Sequence, residues 1–237
     1  MSPIVPRATL LGAAVIAVGL ALALTAPAGA GEARADMSGG QYRVGVMSLA
    51  ELRFQSVVKQ QYDFSCGSAA VATLLTHHYG IETPESAVFD AMWAVGNQDR
   101  IREVGFSLLD MRNYLATREL RADGFRLTME KLEKLKVPAI ALIDTRGYKH
   151  FVVVIGVERG RVLVADPAEG MRAMRKHEFE EAWNGVLFVI RNSSQVARAS
   201  FNQAEDWNIT PAAPLGTALS PQSLGSLTIG FPGRGEF

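Results

Sequence analysis

The sequence predicts an α+β fold in which a group of helices comes first and an antiparallel sheet follows. Between residues 66 and 135, capping residues and apolar positions spaced three and four apart recur, as in amphipathic helices. From residue 137 the character changes to short runs rich in Val, Ile and Phe, which are typical of strands. The polar segment 158–160 separates two of these runs and predicts a tight hairpin. Helices grouped ahead of strands favour the α+β class over an alternating α/β fold.

The helical half begins with a predicted helix over residues 67–79, in which Val71 starts a series of apolar positions at i, i+3 and i+4. Gly80 suits the position just beyond the end of this helix. Thr83 as N-cap, followed by Pro84 as the first helical residue, predicts a second helix that runs to about Val95.

Residues 96–105 are expected to form a loop. Ser107, with an aspartate three residues later, resembles a capping box for a helix ending near residue 116. Thr128 is expected to cap a short helix over 127–135. The remaining elements are expected to be strands over 137–143, 151–157, 161–164 and 186–190, with a helical turn over 179–183.

The N-terminus has the features of a secretory signal. Arg7 precedes an unbroken run of fifteen apolar or small residues, 10–24, and further small residues follow. The run is shorter than the about 18 residues expected of a membrane-spanning helix. Cleavage is expected after Ala30 in preference to Ala35, so residues 1–30 form the predicted signal peptide. A periplasmic or secreted mature protein follows, and an inner-membrane protein anchored by an uncleaved signal is the alternative.

The rest of the chain divides into a flexible segment, 31–43, a single domain, 44–193, and a tail, 194–237. The tail is rich in Ser, Pro, Gly, Ala and Asn without periodicity, which predicts low order. A segment that docks extended into a groove is the alternative. A chain that ends at Ser193 is therefore expected to keep a folded domain.

Composition and motifs exclude several classes of function. The 24 basic residues equal the 24 acidic ones and form no basic stripe, so no nucleic-acid partner is expected. The sequence has no GxxxxGK[ST] motif for ATP and neither CxxC nor HExxH for zinc. No cofactor and no metal are therefore expected.

Cys66 is the only cysteine of the chain and stands at the predicted start of the first helix. The positive end of the helix dipole is expected to lower the pKa of its thiol, as a nucleophile requires. Gln60, six residues upstream, carries an amide that could donate to a developing oxyanion. A buried, inert cysteine is the alternative, but in an oxidising compartment an unpaired thiol favours a functional role.

His150 and Asp166 lie at the same end of the predicted hairpin, in which residue 153 is expected to face Asp166. With Cys66 they provide the nucleophile, the base and the orienting acid of a thiol triad. A surface histidine and a turn aspartate are the alternatives when each residue is taken alone. The other histidines are interpreted as structural or solvated: His77, His78 and His177.

Three motifs and a closing segment occur in an order and spacing that is similar to a known family. They are Gln60 with Cys66-Gly67 and Ala69, then His150-Phe151-Val152-Val153, then Asp166-Pro167-Ala168 with Gly170, and finally Glu181-Ala182-Trp183-Asn184-Gly185. Over residues 57–190 the chain resembles the papain-like cysteine peptidases that remove double-glycine leaders in bacteriocin exporters. It is most similar to stand-alone, exported members, one of which accompanies functional-amyloid secretion in bacteria.

The resemblance implies a papain-like fold with Cys66 as nucleophile, His150 as general base, Asp166 as orienting acid and Gln60 as oxyanion donor. Ser65 departs from the pattern, which often has an acidic residue at this position. No transporter or ATPase portion accompanies the domain, which is why leader processing in the cytosol is not expected.

The expected function is that of an exported cysteine endopeptidase acting on a protein or peptide in the cell envelope, with a secretion system as a possible partner. A preference for cleavage after Gly-Gly or Gly-Ala is implied only by the resemblance. One alternative is a papain-like acyltransferase or amidase, in which an amine replaces water. The other is a non-catalytic binding or chaperone component of a secretion system, which the complete set of four site residues disfavours.

Overall fold

A computed structural model describes residues 31–37, 40–46 and 48–208, and these described residues fall into two compact units, one that ends at residue 46 and one that begins after it. The described part of the first unit is an antiparallel hairpin of β1, Gly31–Met37, and β2, Gly40–Val46. We expected 31–43 to be flexible, but strand pairing satisfies the backbone hydrogen bonds of this segment despite its small, polar side chains. The predicted signal peptide, 1–30, lies outside the described residues.

The described part of the second unit contains eight α-helices. The stretch predicted as one helix over 67–79 is helical through His78, and its last turn widens into a π-helix, Leu74–His78. The α-helices are α1 Leu49–Arg53, α2 Cys66–Thr73, α3 Glu85–Val95, α4 Gln98–Val104, α5 Leu108–Ala116, α6 Met129–Leu135, α7 Lys176–Ala182 and α8 Ser194–Ala199.

The helix caps show which signals the sequence carried. Ser107 and Asp110 form the predicted capping box of α5, with the Asp110 carboxylate accepting from the Ser107 N–H at 2.8 Å. Where we expected a loop over 96–105, the structure has α4, capped by Asn97, whose Oδ1 accepts from the Arg100 N–H at 3.1 Å. Only Ile101 anchors α4 in the core, so the helix is too short and too polar to show a period.

Six antiparallel strands form the sheet, in the order β3-β8-β4-β5-β6-β7. The sequence did not predict β3 and β7, because these edge strands carry polar side chains that a central strand would bury. The predicted hairpin joins β5 and β6 through Arg159 and Gly160, both in the left-handed region. The strands are β3 Ala122–Arg126, β4 Ala139–Thr145, β5 Tyr148–Glu158, β6 Arg161–Asp166, β7 Gly170–Arg175 and β8 Trp183–Ile190.

The sheet is buried on both faces, which explains the nearly continuous apolar runs of β5 and β6. Val153 and Ile155 of β5 pack into a cluster that includes side chains of α2, α3 and α5. Val152 and Val154 point to the other face and join a cluster with side chains of α6 and α7. The α+β class predicted from the sequence is confirmed.

The domain extends beyond the predicted boundary at residue 193. Ala197 of α8 is fully buried, and the Asn202 N–H donates to the Ile155 carbonyl of β5 at 2.8 Å. Where we expected a loosely attached tail from 194, residues 194–208 therefore pack on the domain, because a few apolar and hydrogen-bonding side chains are enough without any sequence period. No helix within the described ranges is long and apolar enough to span a bilayer.

Candidate active site

Cys66 is the first residue of α2, and only 6% of it is exposed. The turn before it is fixed by Ser65, whose Oγ donates to the Tyr62 carbonyl and accepts from the Tyr62 N–H, both at 3.0 Å. Gly67 lets the helix approach the segment that leads into α5, because a Cβ at this position would lie 3.0 Å from Phe106 Cβ. The sequence Cys-Gly therefore provides a helix start that can be buried against its neighbours.

The environment of Cys66 raises the pKa of its thiol, contrary to the expectation from the helix dipole. Burial is the largest cause, and the negative charge of Asp166 acts in the same direction. Backbone hydrogen bonds from Phe151 and Gly67 lower the pKa in part. The prediction of a lowered pKa was wrong because it considered the helix end without the burial of the thiol. A base must therefore activate Cys66.

His150 of β5 and Asp166 of β6 form a buried pair, with His150 Nε2 2.9 Å from Asp166 Oδ2. Their side chains are 4% and 0% exposed. We expected residue 153 to face Asp166, but Val153 pairs with Ala165 instead. The cause is a bulge between Val154 and Gly156, which shifts the register that holds next to the hairpin turn.

The Asp166 carboxylate is held ionised by its neighbours. Burial raises its pKa, but the hydrogen bond and charge of His150 and the amide of Ala168 outweigh burial, so that the pKa is lowered. Asp166 Oδ1 accepts from the N–H groups of Ala168 and Glu169, at 2.9 and 3.3 Å. Because Asp166 engages Nε2, the nitrogen of His150 left for proton transfer is Nδ1.

Arg172 is a further member of the site that sequence reasoning missed. Its Nη2 lies 2.9 Å from Asp166 Oδ2 and its Nη1 lies 3.2 Å from Glu169 Oε2. The Nη2 contact is an ion pair, since this N–H is not aligned for a hydrogen bond with any described residue. Arg172 lies on β7, and the available signal was the tight turn from Asp166 to Gly170, which returns the chain alongside β6.

Gln60 lies in the loop that precedes α2. Its N–H donates to the Pro167 carbonyl at 3.1 Å, which ties this loop to the end of β6 next to Asp166. Its Nε2 donates to the Tyr62 carbonyl at 3.0 Å, and its side chain also hydrogen-bonds the Tyr148 hydroxyl. The backbone hydrogen bond from Phe151 to Cys66 links the thiol to the residue after His150. The structure thus brings the four predicted site residues into one region.

A groove of about 650 Å³ opens beside Cys66. Its walls come from α4, the loop and first turn leading into α5, and the strands β4 and β5. The segment 97–105, which we expected to be a loop, contributes part of this lining. The residues that line the groove are Cys66, Asn97, Arg100, Ile101, Val104, Gly105, Phe106, Ser107, Leu108, Leu109, Asp110, Leu142, Lys149 and Phe151.

An α+β domain that brings a helix-start thiol to a buried His–Asp pair on neighbouring strands is of the papain-like class of thiol hydrolases. Comparison with known families gives the more specific assignment. The Peptidase C39 family model matches residues 55–195, which is more than half of the chain. The chain belongs to the peptidase C39 family and is a cysteine peptidase.

Two Pseudomonas relatives agree with this assignment. The chain is 43% identical over 152 residues to the "Probable functional amyloid protease FapD" of Pseudomonas aeruginosa, covering 64% of this chain and 67% of that protein. It is 39% identical over 173 residues to the protein of the same name from Pseudomonas fluorescens, covering 72% and 76%. Among solved structures, the peptidase domain of Streptococcus ComA, a bi-functional ABC transporter, is 19% identical, with a TM-score of 0.49, and the match covers 56% of this chain and 96% of that domain. The predicted family resemblance is confirmed.

Proposed function

We propose that this protein is an exported cysteine endopeptidase that hydrolyses a peptide bond of an envelope or secreted protein through Cys66, His150 and Asp166. The observation that carries the proposal is the buried 2.9 Å contact between His150 and Asp166. The residue after His150, Phe151, forms a backbone hydrogen bond to Cys66, the only thiol of the chain. Each member alone has a structural explanation, but their convergence is what thiol catalysis requires.

The proposed reaction starts with proton transfer from the Cys66 thiol to His150 Nδ1. The ionised Asp166 stabilises the imidazolium that forms and fixes the tautomer of the neutral ring. The thiolate attacks the substrate carbonyl, and the Cys66 N–H and the Gln60 amide donate to the oxyanion, the amide in exchange for its present hydrogen bond to the Tyr62 carbonyl. His150 then protonates the leaving amine, and water hydrolyses the thioester. The raised pKa of Cys66 fits this scheme, in which the thiolate forms by transfer to a base.

The groove supports an extended peptide substrate with apolar side chains. Val104 and Leu109 lie in the groove wall and are 66% and 53% exposed. A bound peptide would bury these apolar side chains, which is favourable. Arg100 and Lys149 add positive charge to the same wall. A small-residue cleavage preference, Gly-Gly or Gly-Ala, is proposed from the family resemblance.

The setting of the reaction is proposed from the N-terminus and the relatives. Residues 1–30 have the signal pattern, so we place the protein in the periplasm or outside the cell, with an uncleaved inner-membrane anchor as the alternative. Two relatives are named as functional amyloid proteases. The proposed substrate or partner is therefore a protein of a system that secretes functional amyloid.

The test combines a cellular and a biochemical comparison. Envelope proteins from cells with the native gene or a Cys66→Ala copy are compared for a new N-terminus, which the variant should lack. In vitro, Cys66→Ala and His150→Ala should lower peptide cleavage by at least about 1,000-fold, since loss of a nucleophile or base removes most of the catalysis. His177→Ala, which alters an exposed histidine, should retain the native rate.

The outcomes separate the alternatives. Cleavage within tenfold of the native rate after Cys66→Ala would contradict the mechanism. Amide products that appear with an added amine, seen by mass spectrometry, would instead indicate an acyltransferase. Failure of a thiol-directed peptidyl inhibitor to label folded native protein at neutral pH would indicate a binding protein.

A further inference from the structure

Tyr148 is the first residue of β5 and stands two residues before His150. The turn before it is held by Asp144, whose Oδ1 accepts from the Gly147 N–H at 2.7 Å. The Tyr148 ring stacks on the imidazole of His150, with 4.9 Å between centroids and 27° between planes. Although 46% of Tyr148 is exposed, its ring therefore covers one face of the buried histidine.

The hydroxyl of Tyr148 reaches the loop that precedes the nucleophile. It donates to the Asp63 carbonyl at 3.2 Å and hydrogen-bonds the side chain of Gln60, which can donate its amide N–H to the phenol oxygen. Burial, the largest cause, raises the pKa of Tyr148, so the phenol keeps its proton at neutral pH and remains a donor. One side chain thus connects β5 with the segment that carries Gln60.

These contacts supply restraints that the rest of the site leaves out. Nε2 of His150 is fixed by Asp166, and Nδ1 has only a long contact of 3.5 Å to the Tyr148 carbonyl, so the ring can still tilt about the bond to Asp166. The backbone N–H of Gln60 is fixed by Pro167, whereas its side-chain amide is held, apart from Tyr148, by one hydrogen bond from Nε2 to the Tyr62 carbonyl. Stacking would fix the plane of the imidazole, and the hydroxyl would fix the amide.

We propose that Tyr148 is a positioning residue with two separable roles: its ring orients the His150 imidazole toward Cys66, and its hydroxyl holds the Gln60 loop in place for the oxyanion. The inference rests on the proposed function, because it assigns Tyr148 a part in that reaction. A misplacement of about 1 Å in a reacting group can lower a rate about 100-fold, so such restraints have measurable consequences.

Two substitutions separate the roles. Tyr148→Phe keeps the ring and removes the hydroxyl, whereas Tyr148→Leu removes both. Two assays read them out: cleavage of a Gly-Gly-aminomethylcoumarin peptide, and alkylation of Cys66 by iodoacetamide as a function of pH. Alkylation forms a carbon–sulfur bond and releases iodide without an oxyanion, so it depends on the thiolate and His150 but not on Gln60.

For Tyr148→Phe we expect kcat to fall about fivefold, the factor for one net hydrogen bond, with KM within twofold and an unchanged pH profile of alkylation. For Tyr148→Leu we expect kcat to fall at least about tenfold further and the alkylation profile to shift as well. Phe125→Leu removes an exposed aromatic ring on edge strand β3 and is the matched control. Melting temperatures are measured for all variants.

Several results would overturn the inference. If both Tyr148 variants match Phe125→Leu in kcat and in alkylation, Tyr148 positions nothing. If the loss lies in KM alone, Tyr148 contacts substrate and does not position the site. Tyr148→Phe keeps the packing of the ring. If Tyr148→Leu fails to fold, the kcat of Tyr148→Phe still tests the role of the hydroxyl. If native protein lacks Cys66-dependent cleavage, the proposed function fails, while the alkylation arm still tests the contact between Tyr148 and His150.

Discussion

Asp166 is the residue on which most of the site's polar contacts converge. Its two oxygens accept from His150 and from two backbone N–H groups, and Arg172 lies beside them. A fully buried carboxylate needs such partners, because an unpaired charge in the interior is strongly destabilising. The lowered pKa of Asp166 follows from these contacts and keeps the charge that the proposed imidazolium requires.

Replacement of Asp166 by asparagine should separate this charge from the shape of the side chain. We expect kcat/KM of Asp166→Asn to fall at least about 100-fold, because the imidazolium loses its counter-charge and the tautomer is no longer fixed. Asp123→Asn is the control, since Asp123 forms an ion pair with Arg191 near the surface. Steady-state kinetics at neutral pH provide the measurement, and equal rates for the two variants would contradict the role of Asp166.

The four site residues could be chosen from the sequence because their types and spacing are rare together. Cys66 was distinguished by being the only thiol, and His150 and Asp166 by ending the two strands of one hairpin. Arg172 and Tyr148 could not be chosen, since their contacts depend on an unpredicted strand and on a ring stack across the site. The direction of the Cys66 pKa was likewise beyond reach, because burial is a property of the packed domain.

At the scale of elements, local signals decided what could be predicted. Helix α5 has a reciprocal cap, and the β5–β6 hairpin has a turn whose residues adopt left-handed conformations. Both were predicted, since their information lies within a few residues. Helix α4 and the edge strands β3 and β7 were missed because neighbours distant in the sequence stabilise them. The C-terminal segment 194–208 belongs to the same group.

The C-terminal segment leads to a prediction about truncation. A chain that ends at Ser193 should melt at a lower temperature than one that ends at Asn208. The shorter chain exposes apolar surface under Ala197 and leaves the Ile155 carbonyl without its donor. Thermal unfolding of the two chains provides the measurement. Equal melting temperatures of the two chains would indicate that the folded domain ends at residue 193.

At the scale of the whole molecule, His78 makes the free energy of unfolding depend on pH. It lies in the π-helical turn after α2, where burial lowers its pKa to about 4. Its Nδ1 is 3.0 Å from the Ser200 hydroxyl, and its Nε2 is buried without a hydrogen-bond partner in the described part of the chain. The folded protein therefore accepts a proton at this site only in acid.

The unfolded chain binds this proton near pH 6.5, so stability falls as the pH decreases from about 6.5 to about 4. Between pH 7 and pH 5 we expect His78 to lower the free energy of unfolding by about 2 kcal/mol. Urea unfolding at the two pH values measures the difference. It should shrink by this amount in His78→Gln and persist in His177→Gln, which alters an exposed histidine. An undiminished difference in His78→Gln would contradict the assignment.

The bulge in β5 determines which face of the sheet carries the Asp166 side chain. Side chains of a strand alternate between faces, and residues directly opposite in an antiparallel pair share a face. In an unbroken ladder Asp166 would face residue 153 and so point to the side of the sheet away from His150. The one additional residue, between Val154 and Gly156, reverses that parity and returns the carboxylate to the histidine. A hairpin that kept the same turn and took Ile155 into the ladder without a bulge would retain every proposed catalytic residue and yet place acid and base on opposite faces of the sheet.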